Sequence, residues 1–319
     1  MAQLPGWSLP GSPFHAGEQQ VQQRLGVRDR MEAVGRRVVR NFMPDQHREF
    51  FAGLPFLMLG AVDEGGQPTL SVAAGVPGFL ATPDAATLRV AAAPPPGAHL
   101  REGGDVGILG IDFAARRRNR ANGLVARLGA ESFEIAVTQS FGNCPRYIQA
   151  REWLAVPAAP GPLRRTETLG AAEQALVAGA DTFFIASALG SLREAPSLGV
   201  DVSHRGGPPG FVRVDDAATL TVPDFNGNSY YNTLGNLALN PRCGLLFLDF
   251  AEGTTLRLAA EAEILWEGPE VQRFAGAERV LRFHVTECLT APQALPLRWR
   301  FREYSPFLGA LGSWGGAKE

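Results

Sequence analysis

Ser203, Arg205, the backbone N–H of Gly206 and the side-chain amide of Asn228 are, by type, the groups a phosphate needs. Such an anion calls for a cation and several hydrogen-bond donors converging on it, and arginine offers a fixed fork of donors. These residues sit in two short runs, Asp201-Val202-Ser203-His204-Arg205-Gly206 and Asn226-Gly227-Asn228-Ser229-Tyr230. A third run, Asn143-Cys144-Pro145-Arg146-Tyr147, lies far upstream and carries an amide, a thiol and a phenol close together.

The chain supplies its own control for these runs, because much of it occurs twice. Residues 77–90, PGFLATPDAATLRV, return at 209–222 as PGFVRVDDAATLTV, nine of fourteen identical at an offset of 132. FLMLGA at 56–61 answers FFIASA at 183–188 at an offset of 127, which predicts five residues gained in the second copy's turn. GILGIDFA at 107–114 answers GLLFLDFA at 244–251, and VTQ at 137–139 answers VTE at 285–287. Four blocks in the same order make two homologous, domain-sized units in tandem.

What must position these residues is a set of short strands. Leu57, Leu59 and Ala61 alternate with their neighbours before the turn Asp63-Glu64-Gly65-Gly66, and Thr69–Ala73 returns. Phe79–Ala81 and Leu88–Ala91, Gly107–Phe113 and Phe133–Val137 continue the first series. Phe183–Ala188, Val200–Ser203, Phe211–Val214, Leu220–Val222, Gly244–Phe250, Leu256–Ala260 and Phe283–Val285 repeat it. About six strands per copy, separated by Gly and Pro turns, predict a small barrel rather than a parallel sheet. Helices are expected at Glu18–Arg40, Pro44–Ala52, Ala171–Ala178, Tyr231–Leu239 (stopped by Asn240-Pro241) and Pro269–Arg282. Val156–Pro162 has no periodicity and reads as a linker.

At 319 residues, with 45% hydrophobic and 19% charged residues, the composition is that of an ordinary globular protein of two domains. A net charge of −2 gives no reason to expect a nucleic-acid or membrane surface as partner. No apolar run approaches the ~18 residues of a membrane span, and the start MAQLPGWSLPGSP lacks the pattern of a secretion signal. Cys144, Cys243 and Cys288 are too widely spaced for a metal site, and a reducing cytoplasm is the expected location.

The order of strand, DVSHRGGPPGFVRVDDAATL, TVPDFNGN, a helix ending in Asn-Pro, and GLLFLDF resembles the pyridoxamine 5′-phosphate oxidase-like FMN-binding split barrels. The resemblance covers about 45–150 and 170–310 and is strongest in the second copy, although His204 stands where many relatives have proline. It implies a mainly β (α+β) protein of two tandem split β-barrels that form an internal pseudo-dimer. Expected boundaries are an N-terminal helical extension at 1–44, a first barrel at 45–155, a linker at 156–170 and a second barrel at 171–312. Relatives hold flavin between subunits, so a duplicated chain is expected to hold FMN between its own halves, with a small-molecule or nicotinamide-type reductant. A further homodimer remains open.

The copies differ where this site would lie. Thr69–Gly75 aligns with Asp201–Gly207 and keeps the serine but not the aspartate, histidine or arginine. RVAAAPPP at 89–96 stands where TVPDFNGN stands at 221–228. The expectation is one surviving composite site. Asp201, Val202, Ser203, His204, Arg205, Gly206, Asn226, Asn228 and Tyr230 come from copy two, and Asn143, Cys144 and Tyr147 from copy one. No catalytic acid or base is assigned, and no metal is expected. The run Arg116–Arg120 reads as a solvated edge or an interdomain ion-pair face rather than a phosphate clamp. Cys144 reads as structural, His204 as a loop histidine, and Trp299 as either a ligand-stacking ring or a strand residue. The extension Phe14–Asn41 suits either a docking arm or a helix packed across both barrels. The reading is an FMN-dependent oxidoreductase; a flavin carrier without a substrate and a cofactor-less interaction protein are the alternatives, because the fold does not choose among them.

Overall fold

The computed structural model describes residues 5–314, so the first four positions of the expected extension lie outside it. The chain is mainly β, and the repeat in the sequence is a repeat in topology. In the first half β1 (Phe56–Val62), β2 (Pro68–Ala74), β3 (Leu80–Ala81), β4 (Thr87–Val90), β5 (Asp105–Asp112), β6 (Arg117–Leu128) and β7 (Phe133–Gly142) form one antiparallel sheet, ordered β2-β1-β5-β6-β7-β4-β3. Next come β8 (Ala150–Ala155) and β9 (Arg164–Thr166). The second sheet uses β10 (Thr182–Leu189), β11 (Gly199–Gly206), β12 (Arg213–Val214), β13 (Thr219–Asp224), β14 (Arg242–Leu248), β15 (Thr255–Leu265) and β16 (Arg279–Ala291). Its order, β11-β10-β14-β15-β16-β13-β12, is the first order strand for strand, with β9 added beside β16. Each sheet curls around its own apolar core as a split barrel, because strand alternation sends one face inward.

Strand pairing corrects the alignment of the two copies. Leu109 of β5 lies opposite Met58, and its equivalent Leu246 of β14 lies opposite Phe184. Met58 therefore matches Phe184, an offset of 126 (184 − 58) rather than 127, and the second copy's turn gains six residues rather than five. A slip of one residue along a strand would exchange its faces. At the corrected offset Leu57 and Leu59 match Phe183 and Ile185, which all fill barrel cores, while Met58 and Phe184 meet between the barrels.

That shared layer also contains Phe56, Leu70, Leu109 and Ile111 from the first half and Ala186, Val202, Leu246 and Leu248 from the second. Backbones approach closely across it at two equivalent glycines. A Cβ on Gly107 would lie 2.5 Å from the Val200 carbonyl oxygen, and one on Gly244 would lie 2.5 Å from that of Pro68. The two contacts are related by the same pseudo-two-fold axis, which glycine permits because it has no side chain.

The remaining elements brace the pair. The expected helix Glu18–Arg40 is two helices, α1 (Ala16–Arg24) and α2 (Arg28–Val38), broken where Gly26 takes φ +68°. They are followed by α3 (Asp45–Ala52), α4 (Ala171–Gly179) and α5 (Asn232–Leu239). The extension packs across both barrels and does not project as an arm. Gln22 Nε2 donates to the Tyr230 carbonyl at 3.1 Å, and Arg40 forms a bridge with Ser140 of β7. The last expected helix shrinks to α6 (Pro269–Gln272), because Arg279–Leu281 pair with Pro223 and neighbouring residues of β13 as strand. β8 pairs with β17 (Leu297–Glu303) in a ribbon outside both sheets, and residues 156–163 between β8 and β9 carry no helix or strand. Trp299 is a buried strand residue of β17, packed edge-on against Phe56 and Phe250.

Candidate functional site

Strand β6 of the first barrel meets β11 of the second, and the contact is polar. Val200–Ser203 was expected as a strand and Arg116–Arg120 as an edge or an interdomain face. β11 runs on through His204 to Gly206 and β6 is a continuous strand, so the side chains of both alternate between two environments. On β6, Arg118 and Arg120 share the face turned to the second barrel. Arg117 lies over the Phe50 ring, and Arg116, just before the strand, pairs with Glu303. Arg120 is buried and Arg116, Arg117 and Arg118 are half-buried, so the run is an interdomain face with Arg116 and Arg120 ion-paired across it, not a solvated edge.

Arg120 is the more enclosed of the two. Its Nη1 donates to Asp201 Oδ1 at 2.7 Å, and its Nη2 donates to the Val202 carbonyl at 2.9 Å and Ser203 Oγ at 2.5 Å. Asn122 and Asn236 also donate to Asp201, at 2.8 and 3.1 Å. Arg118 donates from Nε to the Cys144 carbonyl at 2.8 Å and from Nη1 to His204 Nδ1 at 2.9 Å. A guanidinium can only donate, so His204 Nδ1 accepts and the ring proton sits on Nε2. His204 is a buried strand residue between Phe113 and Phe184, not a loop histidine. Burial, followed by the charges of Arg118, Arg151 and Arg205, holds its pKa well below the usual histidine value.

These strands form the wall of a cavity of about 100 Å³ that both barrels build. Arg118, Arg120 and Asn143 come from the first, and Ser203, His204, Arg205 and Asn228 from the second. The floor is the start of α5. Tyr231 caps that helix at φ +62° without a side-chain bond, and Asn232, Thr233 and Leu234 line the cavity. The N–H groups of these first three helical residues have no intrahelical acceptor, and the helix dipole adds partial positive charge there. Arg205 ion-pairs with Asp224, which it shares with Arg279. Arg118 has no carboxylate within ion-pair distance among the described residues, and burial and the neighbouring Arg205 and Arg120 push its pKa down to about 10. The cavity therefore contains an uncompensated cation beside a helix N-terminus.

The residues singled out from the sequence divide into three groups. Ser203, His204, Arg205, Asn143 and Asn228 line the cavity, and Asn228 Nδ2 donates to Asn143 Oδ1 at 3.1 Å across the barrels. Gly206, Asn226 and Tyr147 line a smaller space of about 60 Å³ that shares Arg118, His204 and Arg205 as walls. A Cβ on Gly206 would lie 2.0 Å from the Tyr147 carbonyl oxygen. Asp201, Val202, Cys144 and Tyr230 face neither space. Asp201 orients Arg120 from behind, Val202 packs in the layer between the barrels, and Cys144 contributes its carbonyl to Arg118. Tyr230 is packed on Phe14 and Phe141, and its neighbour Tyr231 takes the position in the cavity. Arg118, Arg120, Tyr231 and Thr233 were not expected in the site; strand alternation through 117–121 was the signal available for the two arginines.

No family model matches the chain, and no curated protein matches it. Solved structures that resemble it include HupZ of Group A Streptococcus, 17% identical, covering 35% of this chain and 85% of that one, with a TM-score of 0.28. A candidate pyridoxamine 5′-phosphate oxidase from Lactobacillus delbrueckii is 17% identical, covers 39% of this chain and 94% of its own, and has a TM-score of 0.30. A FAD-binding protein from Mesorhizobium loti is 13% identical over 40% of this chain and 97% of its own, with a TM-score of 0.26.

Proposed function

We propose that the protein is a flavoprotein that holds one FMN per chain, its phosphate in the cavity between β6, β11 and α5, and that the flavin serves oxidoreductase chemistry. The observation that supports this most is Arg118, a cation without a counter-charge beside three unpaired helical N–H groups. The donor set fits a phosphoester. Buried polar atoms without an acceptor include Arg120 Nε, Arg205 Nε and Asn143 Nδ2, all of them donors. A cavity of this size takes a phosphate and leaves the rest of the ligand to the adjoining space and the open mouth.

In this reading Arg118 and Arg205 bind the phosphate charge, Ser203 and Thr233 offer hydroxyls, and the start of α5 offers amides. Asp201 positions Arg120, which in turn holds Ser203. His204 stays neutral and fixes Arg118 through Nδ1. Tyr147 and Phe225, whose ring centroids lie 5.2 Å apart, form the aromatic side of the neighbouring space, where an apolar ring has something to pack on. A bound flavin would supply hydride or electron transfer, and the chain would supply binding, orientation and electrostatics. The division into an extension at 1–44, barrels at 45–155 and 171–312 and a linker at 156–170 belongs to the same proposal.

Purified protein titrated with FMN tests it, read by quenching of flavin fluorescence. One flavin per chain is expected. Two equivalent flavins, or none, would overturn the single composite site.

A further inference from the structure

Across the pseudo-two-fold axis from the composite site lies a second cleft, larger and of different character, of about 570 Å³. Strand register identifies its walls. Arg257 lies opposite Leu246 as Arg120 lies opposite Leu109, so the two arginines are equivalent. Ala259 lies opposite Glu287 as Asn122 lies opposite Gln139. Thr69 stands where Asp201 stands (201 − 132 = 69), and His99 stands where Tyr231 stands, at φ +51° against +62°. The backbone frame is kept and the chemistry has been replaced.

Arg257 consequently lacks the carboxylate that Arg120 has. Its Nη1 donates to the Pro96 carbonyl at 2.8 Å, its Nε is buried without an acceptor, and it forms no ion pair among the described residues. Burial and then Arg165 lower its pKa, with Glu287 acting in the opposite sense. Arg165 and Glu287 at the rim neutralise each other, and Asp63, the other carboxylate of the lining, accepts the Gln67 backbone N–H at 2.9 Å. Much of the rest of the wall is apolar, from Leu70, Leu245, Leu258 and Leu289. No helix covers it, since 91–104 contains none and α1 packs against α5 on the other side.

The geometry points to a second, separate binding site in this cleft, for a small amphipathic organic anion whose acid group pairs with Arg257 and whose apolar body lies on the leucines. Its volume falls within the ~300–1,000 Å³ typical of small-molecule clefts. A phosphoester is the poorer fit, because Ala73 and Thr255 occupy the positions of Arg205 and Arg118 and no helix N-terminus is present. With Arg165 paired to Glu287, Arg257 is the cation left without an ion pair, and together with the leucines it suits a carboxylate or sulfonate. This holds whether or not the composite site binds flavin.

The test is titration of the full chain with 8-anilinonaphthalene-1-sulfonate, read by its fluorescence, with octanoate as competitor. One saturable site displaced by octanoate is expected. Arg257→Leu should weaken it at least tenfold, Arg257→Lys should stay within about threefold, and Ala259→Trp, which fills the cleft, should abolish it. Arg118→Ala, in the other site, should leave it unchanged, and circular dichroism confirms that each variant is folded. Binding that survives Arg257→Leu or Ala259→Trp at its original strength, or that never saturates, overturns the proposal.

Discussion

Arg120 of the first barrel and Asp201 of the second form an ion pair of 2.7 Å in which the arginine side chain is 3% exposed and the aspartate 13%. Neither barrel contains both charges, so each would leave one unpaired if it folded alone. The pair lies directly behind Ser203 and thus links the cohesion of the two halves to the shape of the candidate site.

Breaking this pair on one side should cost far more than removing it entirely. Asp201→Asn or Arg120→Ala leaves a buried charge without its partner, with an expected loss of about 3–5 kcal/mol. The double variant Arg120→Leu/Asp201→Leu should recover a large part of that. Urea unfolding of the three variants measures it; additive losses would mean that the two residues act independently.

Adding one methyl group at the close approach between barrels should be destabilising at both equivalent positions. Gly107→Ala and Gly244→Ala each place a Cβ 2.5 Å from a carbonyl oxygen of the opposite barrel, for an expected loss of about 1–3 kcal/mol. Gly309→Ala, with nothing within 4 Å, should stay within about 0.5 kcal/mol. Thermal melts of the three proteins would show whether the two-fold relationship holds energetically.

Acid should weaken the fold through its buried histidines. His47, buried against Ser140, has its pKa lowered to about 4 by burial, then by Arg117 and Arg40. The folded value lies below the unfolded one, so the stability it contributes is full above about pH 6.5 and is lost as pH falls towards 4. The loss amounts to about 3 kcal/mol by pH 4. His204 acts in the same direction, and Glu18, whose pKa burial raises, acts in the opposite one. The melting temperature of His47→Asn should therefore fall less than that of the unaltered protein between pH 7 and 5. Parallel curves would show that His47 does not carry this term.

Much of the fold was legible because its signals are local. PGF and DAATL marked the same hairpin in each copy, Asn240-Pro241 stopped α5 where expected, and alternation located most strands. What was not legible depended on partners distant in sequence. The matching of FLMLGA to FFIASA by identity alone missed the register by one, because facing is decided by β5 and β14. Residues 269–282 have helical spacing, yet pairing with β13 draws Arg279–Arg282 into a strand. Arg116–Arg120 looked like a wet basic run because Asp201 and His204, which give Arg120 and Arg118 their roles, lie more than eighty residues away. Ser203, Arg205 and Asn228 were found because their contrast with the first copy could be read along the chain.

Loss of the unpaired cation should separate binding from folding. Arg118→Ala removes the charge and its three hydrogen bonds to Cys144 and His204, and should weaken FMN by roughly 1.5–3 kcal/mol, about ten- to a hundredfold, with the protein still folded. Arg205→Ala belongs to the same range if its charge reaches the ligand past Asp224.

Whether one flavin sits between the two barrels with its phosphate on Arg118 is decided by a fluorescence-quenching titration of FMN into the unaltered protein and into Arg118→Ala. One flavin per chain is expected for the first and an affinity at least tenfold weaker for the second. Two flavins per chain, none, or an affinity unchanged by Arg118→Ala would contradict it.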